Sequence, residues 1–336
     1  MSSSFGRLYA LAVLISTVLR GQCSLWSEWW NYQSISGPAF WGISNSDWRL
    51  CSKGKNQSPI NIDPTILLFD PGLKHLVVEG EEVTGSLQNR GHDITFDVDE
   101  VKTAVNFTLG PLSYKYRLKL LKFHFGHDNN SGSEHHIGQR SFPAEIQLIS
   151  YNTDLYKNIT HAERSPRGIA VIALFVQIQE SDNDEFSVIS KLLQDIQFKD
   201  DRVEIEALNL KNIIPNSMQY ITYEGSLTYP GCYETVTWLL INKPIYIGLN
   251  QINLLRETRE GGRENPQAFM AGNTRPLMPV NQRTIRTNIN FSRGCSMERD
   301  MNYKESPMTM DTRKSFLATT EMQKCLLYRN FIYSIL

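Results

Sequence analysis

Four of the chain's seven histidines, His124, His127, His135 and His136, lie close together in sequence. Imidazole is the commonest metal ligand and a general base near neutral pH, so metal or proton chemistry is the first reading to weigh. Local spacing does not assemble a site. His124 and His127 are three apart and face opposite sides of a strand; His135 and His136 are adjacent and also diverge. The segment Leu120-Leu121-Lys122-Phe123-His124-Phe125-Gly126 is more informative. As a strand it directs Leu121, Phe123 and Phe125 to one face, and Lys122 and His124 to the other. The segment Ala144-Glu145-Ile146-Gln147-Leu148-Ile149 behaves alike. Ile146 and Leu148 share one face; Glu145, Gln147 and Ile149 share the opposite one. Two strands thus each present polar groups among apolar neighbours. Such a face is a pocket or a hydrogen-bonded structural network.

These strands need a scaffold. Between residues 55 and 290, short runs rich in Val, Ile, Phe and Tyr alternate with turn signals. Strands are expected at His75–Glu79, Asp93–Val98, Leu118–Phe125, Ala144–Tyr151, Ile169–Ile178 and Thr235–Ile241. Helices are expected at Phe186–Phe198 and Ile252–Arg259. The result is one β-dominated (α+β) domain with a few peripheral helices. The chain has 336 residues, 41% of them apolar, enough for a substantial core, so a largely disordered chain is excluded. The net charge of −1 gives no electrostatic reason to expect nucleic-acid binding.

The N-terminus reads as an export signal, residues 1–23. Arg7 precedes an apolar run, Leu8 to Leu19, too short for a bilayer span of ~20 residues. Gly21-Gln22-Cys23 supplies small residues where a signal peptidase cuts. No later stretch would cross a membrane, so a secreted protein without a span is expected. Cleavage after Cys23 leaves Cys51, Cys232, Cys295 and Cys325, an even number that suits disulfides in an oxidising compartment. Spacing alone does not pair them. Sequons at Asn106, Asn129, Asn158 and Asn290 are candidate N-glycosylation sites. The stretch 303–336 is polar and Met-rich and ends in the apolar cluster Leu326 to Leu336; it is treated as an appendage. Arg329 interrupts that cluster, so no lipid anchor is expected.

An ordered set of segments resembles the α-carbonic anhydrases, most nearly their secreted, carbonic anhydrase-related branch. The set runs through Gly37-Pro38-Ala39-Phe40-Trp41, Asn56-Gln57-Ser58-Pro59-Ile60-Asn61-Ile62 and Asn89-Arg90-Gly91-His92. It continues through Gly132-Ser133-Glu134-His135, Tyr223-Glu224-Gly225-Ser226-Leu227-Thr228, Thr237-Trp238 and Arg275-Pro276, over about three quarters of the chain. The resemblance implies one domain, residues 28–293, on a large, mostly antiparallel central β-sheet with the site in a conical cleft. It implies a disulfide between Cys51 and Cys232.

Active members hold zinc with three histidines, whose positions here carry Lys122, His124 and Gln147. Only His124 is kept. Catalytic zinc needs three protein ligands and an open position for water, whose pKa it lowers. An ammonium ~4 Å from a divalent cation would be repelled by about 8 kcal/mol at an effective dielectric of 20. The resemblance therefore implies an acatalytic protein without a metal cofactor. Lys122 is expected to stand in the metal's place, with Gln147, Glu134 and Glu145 as its hydrogen-bonding partners. Glu134 and Thr228 match the pair that orients zinc-bound hydroxide, and His92 the proton shuttle. Ile149, Val171, Leu227 and Trp238 match the apolar substrate wall. All of these are expected to survive as vestiges. Tyr229 replaces a smaller residue, and Gly231 replaces a proline that follows a cis bond, so that turn is expected to differ. The implied role is an extracellular binding module for a cell-surface protein, of neurexin type in this branch. The competing readings are carbon dioxide hydration by zinc on atypical ligands, and small-anion binding at Lys122.

Overall fold

The computed structural model describes residues 30–290 other than Met218. The expected export signal, Cys295, Cys325 and the stretch 303–336 lie outside the described residues. Along the chain the strands are β1 (Asn61–Ile62), β2 (Leu68–Phe69), β3 (Leu76–Glu79), β4 (Glu82–Asn89) and β5 (Ile94–Val98). Next come β6 (Asn106–Leu109), β7 (Tyr116–Phe125), β8 (His136–Ile137), β9 (Ala144–Asn152) and β10 (Ile169–Gln179). The last are β11 (Arg202–Asn209), β12 (Tyr220–Gly225), β13 (Val236–Ile241), β14 (Ile245–Gly248) and β15 (Arg286–Thr287).

Among the described residues, thirteen strands form one mixed sheet, with the main path β11-β4-β5-β7-β9-β10-β13-β12-β15-β2. Most pairs are antiparallel; β10 runs parallel to β13 and β14, and β15 to β2. The mainly β architecture with a large central sheet is as expected. The strands at the centre are β7, β9 and β10, rich in β-branched and aromatic residues that fit a pleated surface covered on both sides. Every residue of β9 is buried.

Side-chain alternation holds. Leu121, Phe123, Phe125, Ile146 and Leu148 all enter one apolar core, on the face carrying Phe186 and Ile189. The opposite face carries a second core, with Ile149, Val171, Leu227 and Trp238. The polar positions of β7 and β9 lie on that second face, so the site sits on the sheet itself rather than on a mobile loop.

Two helical expectations need correction. Only Phe186–Ser190 is α-helical where a helix to Phe198 was expected. Beyond it, Leu192, Leu193, Asp195 and Ile196 donate to carbonyls three residues back. This tighter winding puts Leu193 and Ile196 above one another, and both are buried. The second helix is Leu249–Arg256, begun upstream of Ile252 because the Gln251 side chain accepts from the Gly248 N–H at 2.9 Å.

Cys51 and Cys232 are disulfide-bonded, at a sequence separation of 181. The bond packs with Trp41 and Trp48 and holds the N-terminal helices Pro38–Ser44 and Leu50–Lys53 to the loop after β12. Closing so long a loop stabilises by roughly 5 kcal/mol at most in the chain-entropy treatment. Cys51→Ala with Cys232→Ala should therefore lower the urea-unfolding free energy by about 2–5 kcal/mol. A change below about 0.5 kcal/mol would show that this loop is not constrained in the unfolded chain. Among the described residues, no helix is long and apolar enough to cross a membrane.

Candidate functional site

Register brings the polar positions together. β7 and β9 are antiparallel, with Lys122 opposite Gln147 and His124 opposite Glu145. β5 flanks β7 on the other side, with Thr95 opposite Lys122. Asp93 precedes Thr95 by two residues and so falls on the same face. Lys122, His124, Gln147, Glu145, Asp93 and Glu134 are all buried.

Lys122 does not bond to Gln147, Glu134 or Glu145, contrary to expectation. Its Nζ is ion-paired with Asp93 Oδ2. It also lies over two rings, 4.6 Å from the Tyr229 centroid and 5.9 Å from that of Trp30, where ring quadrupoles favour a cation. Burial alone would raise the Asp93 carboxyl. The Lys122 ammonium, with His92 behind it, outweighs burial and holds that group below the usual carboxylate range. Glu134 and Glu145 are bonded to other groups.

Gln147 occupies them. Its amide Nε2 donates to Glu134 Oε2 at 2.8 Å and to Glu145 Oε1 at 2.9 Å. The other Glu134 oxygen accepts from the Arg275 backbone N–H at 2.9 Å. Glu145 also accepts from the His135 N–H at 2.8 Å and from His135 Nδ1 at 2.9 Å. His135 Nε2 reaches the Tyr223 hydroxyl at 2.7 Å. Burial would raise the Glu145 carboxyl, but His135 pulls it down to about 2.

Thr228 and Glu134, the pair matched to the orienting residues of active members, are not hydrogen-bonded to each other. Both Glu134 oxygens are taken, and Thr228 Oγ1 is buried without a partner. An imidazole at position 147 would offer one donor; the carboxamide offers two and captures the carboxylate. His124 Nδ1 donates to the Asn273 carbonyl at 2.7 Å, while Nε2 lies 3.6 Å from Glu134 Oε2. Asn273 also clamps β7 through Phe123 O and Phe125 N. Sequence reading missed Asp93 and Asn273. The register of β5 against β7 was the missing signal for Asp93; nothing local pointed to Asn273.

His92 is part-buried, 3.6 Å from Asp93, with its ring 3.8 Å from that of Trp30. Burial pushes its pKa down to about 4. Tyr229 is held by its hydroxyl donating to Glu163 at 2.7 Å, with its ring over Lys122. Ile149, Val171 and Trp238 are neighbours across β9, β10 and β13, and with Leu227 they are buried in continuous core. Gly231 has φ +101°, which a proline ring cannot reach; the cis peptide among the described residues is Ser58–Pro59. The sequon asparagines are dispersed. Asn129 and Asn158 are exposed, Asn106 and Asn290 half-buried, and the serine completing the last sequon lies outside the described residues.

These shifts have a sign. The neutral His92 ring is favoured on folding, so its contribution is lost as pH falls through 6.5 toward 4. Glu145 is held ionised, so its contribution, present above the unfolded value of ~4.3, is lost below it. Unfolding free energy should drop by up to about 3 kcal/mol between pH 6.5 and 4 through His92 alone. His92→Gln should flatten that part of a urea-unfolding pH profile. An unchanged slope would contradict the buried, neutral ring.

Zinc, the metal the resemblance implies, does not fit this donor set. One position holds an ammonium already paired with a carboxylate. Another directs two N–H bonds at carboxylates, and only His124 offers a free imidazole nitrogen. Among the described residues, no three His, Cys, Asp or Glu side chains converge as a metal site.

Comparison with known proteins agrees with the architecture. Residues 36–289 match the family model for eukaryotic-type carbonic anhydrase. The chain is also 38% identical over 265 residues to carbonic anhydrase-like protein 2 of Caenorhabditis elegans, covering 77% of this chain and 79% of that protein. A disulfide-tied mixed sheet, a polar face at the expected strands and a match over most of the chain lead to one assignment: the chain belongs to the eukaryotic-type carbonic anhydrase family.

Proposed function

We propose that this protein is a catalytically inactive, exported carbonic anhydrase homologue that binds a partner at cell surfaces and holds no zinc. The carrying observation is the Lys122–Asp93 ion pair where two ligand positions of an active relative would converge on a metal. With the carboxamide of Gln147 filling both nearby carboxylates, the polar face is a closed structural network. In this reading, His92, Glu134 and Thr228 are vestiges, and Ile149, Val171, Leu227 and Trp238 are core. A fold that keeps its shape without its chemistry offers its surface.

Export rests on the apolar run Leu8–Leu19 and accords with the Cys51–Cys232 bond. The exposed sequons Asn129 and Asn158 are the favoured glycan sites. The family resemblance suggests a neurexin-type partner. The test expresses the full chain in neuronal cells. Mature protein should appear in the medium, begin near Ser24, and bind saturably to neurexin-bearing cells but not to cells lacking it. Retention inside the cell, or equal binding to both, would contradict this reading.

A further inference from the structure

The two ends of the central sheet are treated differently by the sequence. At one end, edge strand β11 exposes Arg202, Glu204 and Glu206, with Arg202 and Glu204 paired at 2.9 Å. Charges along an edge strand discourage another strand from adding. At the other end, β2 carries no such guard. Ile66, Leu68 and Phe69 are 57%, 55% and 37% exposed, while Leu67 between them is buried. Leu68 and Phe69 point to opposite faces, so apolar surface is open on both sides of this edge.

The edge also has free backbone polarity. Leu68 N–H donates to Ile285 O and Asp70 N–H to Thr287 O. Both bonds run toward β15, so alternation turns the N–H and C=O of Phe69 away from it, toward the open side. An apolar edge with outward-facing amides is a template for one more strand.

The chain itself supplies an occupant. β15 is the strand beside β2, with Arg286 opposite Leu68 and Thr287 opposite Phe69. Three residues later, at Asn290, the described chain ends, and residues 291–336 continue from there. They finish in Leu-Leu-Tyr-Arg-Asn-Phe-Ile-Tyr-Ser-Ile-Leu, residues 326–336. This segment is rich in aromatic and β-branched residues, lacks Pro and Gly and carries one charge, Arg329; such composition suits a strand. Residues 291–325 connect the two, and a coil of that length spans roughly 30 Å, so the segment's effective concentration at the adjacent edge is high.

We propose that the C-terminal segment Leu326–Leu336 adds to the open edge at β2 of its own chain, covering Ile66, Leu68 and Phe69. The test is hydrogen exchange at the Phe69 amide in the full chain, compared with Phe331→Asp/Ile335→Asp, which leaves Cys325 in place. Exchange should be at least ~10-fold slower in the unaltered chain, independent of protein concentration. Excess synthetic peptide of sequence 326–336 should restore protection to the variant. From the other side, Leu68→Asp should speed tryptic cleavage after Arg329 by a similar factor. Equal exchange in both chains would overturn the proposal. So would protection that rises with protein concentration and survives the tail substitutions, because a second copy would then cover the edge.

Discussion

Lys122→Met should destabilise the protein by about 3–5 kcal/mol, read as a loss of urea-unfolding free energy at pH 7. The substitution keeps the length of the stem and removes the ammonium. Asp93 is then a fully buried carboxylate whose Oδ1 already has no partner. Removing one member of a buried pair costs far more than the pair itself contributes, since the survivor is left uncompensated. The second variant fixes the interpretation. Lys122→Met with Asp93→Leu replaces both charges with apolar groups and should recover most of the loss. If the single substitution costs less than about 1 kcal/mol, or the double costs the sum of the two singles, the pair is not the desolvated contact described here.

Lys122→His with Gln147→His should convert the polar face into a metal site. Both positions lie on paired strands beside His124, so three imidazoles would converge without moving the backbone. The loss of the Gln147 amide frees Glu134 from one donor and Thr228 Oγ1 from its isolation. The doubly substituted protein should retain about one zinc per chain after dialysis and hydrate carbon dioxide above the buffer rate. A folded double variant that binds no zinc would show that these two positions do not account for the difference from active relatives. The bulk of Tyr229 over position 122 would then be the next group to reduce.

What could be read before folding was the set of faces. Alternation in β7 and β9 needs no partner strand, so Phe123 was placed in the core and His124 on the polar side from neighbours alone. What could not be read was which strands lie side by side. The partner of Lys122 comes from the residue just before β5, through a register that no local pattern encodes; Asp93 was legible only as the start of a strand. The same limit hid the fate of Glu134. Its oxygens accept from a side chain on β9, 13 residues on, and from the backbone amide of Arg275, 141 residues on. The shortened helix after Ser190 is a different failure. The spacing of Ile189, Leu193 and Ile196 suits an α-helix, yet carbonyls three residues back accept instead, and the same residues still reach the core.

The decisive measurement joins two numbers from one preparation of the unaltered, full-length protein: zinc per chain by elemental analysis and carbon dioxide hydration by stopped flow. The account predicts far less than one equivalent of zinc after purification in zinc-supplemented medium, and hydration at the buffer rate. One zinc per chain with turnover that a chelator abolishes would contradict it.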